Sequence, residues 1–181
     1  MTVWWLAIDR NRNHCSYLEL QHRNAVAQGW RDLGDLSRLL KFLRNADKQQ
    51  VFDEIRRLGD VAYRGHDRWK QRHRKESGAP LIFWNLLSLS AGDLVVALEG
   101  VVVRGLCELR SNGRDSYRYE PAYTYAHELA GTVNWIDWNE GLFGDPPSAP
   151  RQGVKGVRRL RKESEAVERA WANYKTTNVE R

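Results

Sequence analysis

Aromatic rings beside flexible backbone, together with clustered bases, are the chemistry this chain offers. Trp30 sits in Gly29-Trp30-Arg31-Asp32-Leu33-Gly34-Asp35-Leu36, where the chain turns and a large ring is hard to bury. A ring held there can form one wall of a slot for a flat ligand such as a nucleobase. The competing use is packing, which claims most aromatic side chains. Tyr117, Tyr119, Tyr123 and Tyr125 fall within nine residues, broken by Pro121, in a polar stretch that is hard to bury as a unit. Trp84 follows Phe83 and serves either the core or the site. Stacking of a base on such a ring contributes about 1–3 kcal/mol and tolerates many sequences. Two rings facing each other would hold a base taken out of its stack, and a methyl group on that base would gain further contact.

The bases fall in two runs. Arg64, Arg68, Lys70, Arg72, Arg74 and Lys75 are interleaved with His66, Trp69 and His73. Arg151, Lys155, Arg158, Arg159, Arg161 and Lys162 form the second run, with no acid among residues 151–162. Such runs are either solvated faces or phosphate contacts, since clustered bases release counterions from a nucleic-acid backbone. A net charge of +6 suits a polyanionic partner, although charge speaks to association and not to fold.

Other chemistries lack their signatures. The five histidines show no HExxH or HxH spacing, and Cys15 and Cys107 make no CxxC, so no metal is expected. No GxxxxGK[ST], GxGxxG or GxSxG occurs. Carboxylates such as Glu163, Glu165 and Glu168 lie among bases and read as surface pairs. No catalytic constellation assembles, and neither enzymatic activity nor a cofactor is expected. No apolar run reaches the roughly 18 residues of a membrane span, and the start of the chain lacks a signal-peptide pattern. With its unpaired cysteine pattern, the chain reads as a soluble, reduced, cytoplasmic protein, a Cys15–Cys107 disulfide remaining an open alternative.

The elements that must position these groups follow from periodicity. Val3 to Ile8 reads as a buried strand with a polar exit, Asp9-Arg10-Asn11. Ser16 to Gln21 is ambiguous between a helical turn and an irregular segment. Ala25 to Gln28 reads as a short strand running into Gly29-Trp30. Leu36, Leu39, Leu40 and Leu43 mark one helix face, and Val51, Ile55 and Leu58 another, with Asp47 as cap and Gly59 at the end. Gly78-Ala79-Pro80 opens a helix, and Leu94–Leu98 with Val101–Leu109 reads as a hairpin whose Gly105 marks a bulge or a close approach. Ser111 to Asp115 reads as a polar loop, His127 to Trp138 as a strand, and 141–153 as irregular. Leu160, Val167, Trp171 and Tyr174 share a face of a last helix that docks on the domain. This gives an α+β domain over 1–150 with a basic helical insertion at about 60–78, then a basic segment and C-terminal helix over 151–181.

The order of these features resembles a known family. Trp4-Trp5-Leu6-Ala7-Ile8, Gly29-Trp30 with Leu33-Gly34-Asp35-Leu36, Phe83-Trp84 with Ser90 to Val96, Val103 to Leu109, and Tyr119 through His127 into Val133-Asn134-Trp135 are similar to the EVE-like branch of the PUA-like superfamily, related to YTH and ASCH domains. The resemblance covers roughly residues 3–138 and rests on short motifs. It implies a small curved β-barrel flanked by helices. It also implies nucleic-acid binding by flipping a modified base, 5-methylcytosine first, into an aromatic cage, as in modification-dependent restriction systems. It implies Trp30 as one cage wall, one of Tyr119, Tyr123 and Tyr125 as the other, and Asp9, Arg10 and Asn11 at the base edge; Trp84 keeps both readings. Arg64, Arg68, Lys70, Arg72, Arg74, Lys75, Arg151, Lys155, Arg158 and Arg159 are the candidate phosphate contacts. DNA is expected before RNA, with a nuclease as a possible partner. The alternatives are a modified-RNA module of the same fold, a nucleic-acid-processing enzyme, and a scaffold whose rings bind protein.

Overall fold

The apolar run at the start of the chain becomes β1 (Val3–Ile8), the second-last strand of a five-stranded sheet. Its side chains alternate between two apolar clusters. Val3 and Trp5 enter one, while Leu6 and Ile8 enter the other, as the two-residue period of a strand requires. β3 (Leu94–Glu99) pairs parallel to β1, from Val3 opposite Leu94 to Ile8 opposite Glu99. A parallel pair needs a crossover, and the intervening chain supplies it with most of the helices. The computed structural model describes residues 1–8, 15–44, 47–131, 133–140, 143–150 and 156–179.

The crossover starts with α1 (Tyr17–Arg23), whose first turn is capped by Ser16 accepting from Glu19 N–H. β2 (Val26–Gln28) follows. The leucine stripe at 36–43 forms two short pieces, a 3₁₀ turn (Ser37–Leu39) and α2 (Leu40–Arg44), with Leu36 and Leu39 buried. α3 (Lys48–Ala62) is capped by Asp47 and runs through Gly59, where the sequence predicts its end. Gly59 is needed inside the helix for another reason: a Cβ there would lie 1.8 Å from the ring of Trp69. A π-turn (Trp69–His73) leads to α4 (Ala79–Ser88), which has Pro80 in its first turn.

β4 (Val102–Glu108) completes the hairpin with β3. The register shifts between Ala97 and Leu98, beside Gly105, as the bulge expectation requires. A Cβ on Gly105 would meet the Tyr17 phenol oxygen at 2.0 Å, so the strand and α1 come into close approach there. The 111–115 region is not all loop, because α5 (Gly113–Ser116) occupies part of it before β5 (Tyr117–Tyr119). The single strand expected over 127–138 is two strands in different sheets. β6 (His127–Leu129) pairs with β2 and β5, whereas β7 (Ile136–Asp137) pairs with β4. The chain leaves the smaller sheet at Gly131, whose φ of 63° is open to glycine at little cost.

Within the second basic run, β8 (Val157–Arg159) pairs antiparallel to β1, and α6 (Ser164–Val179) follows. The larger sheet therefore reads β7-β4-β3-β1-β8 and the smaller β2-β6-β5. The described strands make two open sheets and no closed barrel, a mixed α+β architecture. Both sheets feed one core: Leu6, Val95 and Cys107 from the larger, Val26, Ala27 and Leu129 from the smaller, with Phe83 and Leu86 of α4. On the other face of the larger sheet, Val167 and Trp171 of α6 cover Trp5, Val96 and Leu106. Among the described residues, no helix is long and apolar enough to cross a membrane.

Candidate functional site

β2 ends directly in Gly29-Trp30, and the backbone there is unusual. Trp30 has φ 69° and ψ 34°, a left-handed conformation that costs an ordinary residue roughly 1–2 kcal/mol. A set of hydrogen bonds holds it. The Trp30 carbonyl accepts from Leu33 N–H at 2.9 Å and from His127 Nε2 at 3.1 Å. Tyr119 Oη donates to the Arg31 carbonyl at 2.9 Å. Leu36 N–H donates to Tyr117 Oη at 3.1 Å, and that oxygen lies 2.9 Å from His127 Nδ1. The carbonyl of Trp30 can only accept, so His127 carries its proton on Nε2 and Nδ1 accepts from Tyr117. Burial pushes the His127 pKa down to about 4, outweighing the raising effect of the Trp30 carbonyl and of Asp35. The imidazole is therefore neutral at pH 7, as this pattern needs.

The Trp30 ring is half-buried and meets three other rings edge-on. The centroids of His73, Tyr63 and Trp69 lie at 4.4, 5.7 and 5.8 Å. Trp69 is fixed in turn by its indole N–H on Asp60 at 2.9 Å and by stacking on Tyr63. The basic insertion thus has a folded interior, and that interior is a clamp on Trp30.

Trp30 lines an open cleft of about 1410 Å³. Tyr125 lines it too, and its ring lies 3.6 Å from where a Cβ on Gly29 would sit. Arg72 enters from the insertion, Arg158 and Arg159 from β8, and Arg161 and Lys162 from the segment before α6. Among the described residues that line it there is no carboxylate. The loop that carries Tyr125 is anchored from behind. Arg23 donates to the Tyr125 carbonyl at 2.9 Å, to Glu128 at 2.5 Å and to Glu19 at 2.7 Å, and its guanidinium lies 3.8 Å from the Tyr123 ring centre. Burial opposes the Arg23 charge, yet Glu128 and Glu19 raise its pKa overall.

The expected site residues separate accordingly. Trp30, Tyr125, Arg72, Arg158 and Arg159 come together on the cleft. Tyr119 is placed behind the turn, Tyr123 against Arg23, and Trp84 against the main core. Arg74 is paired with Asp60 at 3.0 Å, while Arg64, Arg68, Lys70 and Lys75 are exposed away from the lining. Arg158 is half-buried, donates to the Ser77 carbonyl and has its pKa lowered by burial, so part of its guanidinium ties β8 to the insertion. Asp9, Arg10, Asn11, Arg151 and Lys155 lie outside the described residues.

Residues that sequence reading did not assign to the site also line the cleft: Gln28, His73, Thr124, Arg161 and Lys162. Gln28 carried a signal, being a polar residue closing an apolar strand immediately before Gly29-Trp30. The tryptophans differ in where their indole N–H groups go. Trp4, Trp69, Trp135, Trp138 and Trp171 each donate their indole N–H to a protein acceptor. Trp30, Trp5 and Trp84 have no such bond among the described residues, and of these Trp30 and Trp5 line the cleft whereas Trp84 packs against the main core. The described residues contain no group of three or more His, Cys, Asp or Glu placed to hold a metal ion. No protein family, curated protein or solved structure matches this chain.

Proposed function

We propose that this protein is a PUA-like domain of the EVE type, its barrel opened into two sheets, that reads a modified base in nucleic acid without acting chemically on it. The base is taken from its stack into the cleft and lies against the Trp30 ring, with Tyr125 as the second aromatic wall. 5-Methylcytosine in DNA fits best: its methyl group adds apolar contact with the rings, and its amine suits a polar edge. The observation that carries the reading is the composition of the cleft. Two rings, one of them held in a left-handed turn, share one lining with five cations and, among the described residues, no carboxylate. Phosphates would be drawn to Arg72, Arg159, Arg161 and Lys162, and the base to the rings.

The test is a charge reversal on the rim. Changing Arg159, Arg161 and Lys162 together to Glu is expected to weaken binding to every oligonucleotide by about a hundredfold at 0.1 M salt and to flatten the salt dependence by about three in log–log slope. The preference for a methylated site should survive. Unchanged affinity and slope would refute the reading. If single-stranded RNA carrying 5-methylcytosine outcompetes methylated duplex DNA, the same cleft serves RNA.

A further inference from the structure

β2 brings one more side chain to the cleft. Gln28 is 4% exposed and is the one buried polar side chain among the described residues that line it. Its amide nitrogen donates to the Ala27 carbonyl at 3.0 Å. A carbonyl can only accept, so the atom facing it is the nitrogen, and the carboxamide oxygen is the group left over. No described residue donates to that oxygen. Nor does that oxygen count among the enclosed side-chain atoms without a partner, of which the Tyr17 phenol is the one among the described residues. A nearly buried acceptor with no donor among the described residues is open to one supplied in the cleft. It lies two residues before the Trp30 ring, where the edge of a stacked base would arrive.

We infer that Gln28 decides which base the cleft accepts, its carboxamide oxygen accepting from an exocyclic amine. Cytosine-type and adenine-type bases carry that amine on the edge they use for pairing. Thymine and uracil carry a carbonyl at the corresponding position, which would set lone pair against lone pair, and guanine has its carbonyl there with its amine displaced to the far end of the edge. A site built to take a hydrogen bond rejects the analogue that lacks the donor, because its own polar group is then left unpaired. This selection rests on the base-reading function proposed above, but it works through a different group. The rings sense the methyl group, whereas Gln28 senses the amine. 5-Methylcytosine and thymine share the methyl and differ along the edge, so they separate the two contributions.

The experiment measures affinity of the full chain for duplexes carrying one 5-methylcytosine, cytosine, thymine or uracil, each opposite an abasic site so that no partner base holds it. The wild type is expected to bind 5-methylcytosine at least tenfold more tightly than thymine. Gln28→Leu, and Gln28→Met if the leucine variant does not fold, should bring that ratio within twofold while keeping the preference for 5-methylcytosine over cytosine. Gln28→Glu keeps an acceptor and should keep the amine preference. Retention of the 5-methylcytosine-to-thymine ratio in the Leu or Met variant overturns the inference. So does a wild type that prefers both methylated pyrimidines over their plain counterparts without separating them from each other, an outcome that leaves base reading intact. Equal wild-type binding to all four overturns both.

Discussion

Two ring clusters in this molecule are each built on two tryptophans and a tyrosine and differ in their surroundings. Under α6, Trp138, Phe143, Trp171 and Tyr174 pack with centroids 5.2–6.0 Å apart. Trp171 donates its indole N–H to Glu108 at 2.5 Å, Lys175 covers the same carboxylate at 2.9 Å, and Trp138 donates to the Gly144 carbonyl. The adjoining hollow, about 520 Å³, mixes Glu108 with Arg110. Around Trp30 the rings also meet edge-on, but the Trp30 indole N–H has no protein acceptor among the described residues, and the charged residues described along the cleft lining are all positive. Ring count therefore does not distinguish the two clusters. They differ in where the polar end of the central tryptophan goes and in which charges border it.

The contrast can be pressed hardest by truncating one ring from each cluster. Trp171→Ala removes a buried ring and should lower unfolding free energy by about 3–5 kcal/mol in a denaturant titration. Its affinity for methylated oligonucleotide, measured where the variant is folded, should stay at the wild-type level. Trp30→Ala should do the reverse. Stability falls less, affinity for the methylated site drops by about five- to a hundredfold, the range that stacking supplies, and the preference over a plain site narrows. If the two variants exchange these effects, the site is under α6.

The support behind Trp30 gives a pH test. His127 is held at about 4, and its unfolded value is near the usual 6.5 for histidine. Between those values the unfolded chain takes up a proton that the folded chain refuses. Stability is therefore fully present above about 6.5 and is lost as pH falls toward 4, by about 3 kcal/mol. Replacing His127 with Gln should flatten this slope, whereas Trp171→Ala should leave it in place. A wild-type stability that stays flat from pH 6.5 to 4.5 would mean that the imidazole is not held neutral. The smallest effect belongs to Tyr119→Phe, which deletes one donor to the turn. It should cost about 1 kcal/mol of stability and only a fewfold in methyl preference. A loss as large as that of Trp30→Ala would make Tyr119 a wall and not a support.

Much of the scaffold was legible in the sequence because local signals and tertiary structure agree there. The Val3–Ile8 strand, the Asp47 cap, Pro80 in the first turn of α4 and the Gly105 bulge all follow from single residues with one strong preference. Gly59 misled for a nonlocal reason. It reads as a helix stop, yet it is present so that Trp69, ten residues on, can lie against the helix. The strand pattern from His127 to Trp138 hid a change of sheet, since alternation says which side chains are buried and not which neighbour is paired. β8 was concealed because charge dominates Val157-Arg158-Arg159 and only Val157 is buried. At the candidate site, the position of Trp30 in a turn was readable from its glycine and its place after β2. The assignment of Tyr125 to the cleft and of Tyr117 and Tyr119 to the support was not. It depends on a single reversal of chain direction, where Glu120 N–H donates to the Ala126 carbonyl.

The most direct test of the account follows the indole N–H signals of the eight tryptophans by ¹H–¹⁵N NMR, assigned by single substitutions, while an oligonucleotide with one 5-methylcytosine is added. The account predicts that the Trp30 signal shifts strongly, because its N–H and ring border the cleft, and that the Trp171 and Trp138 signals stay in place. A titration that moves Trp171 and Trp138 and leaves Trp30 unchanged would contradict it.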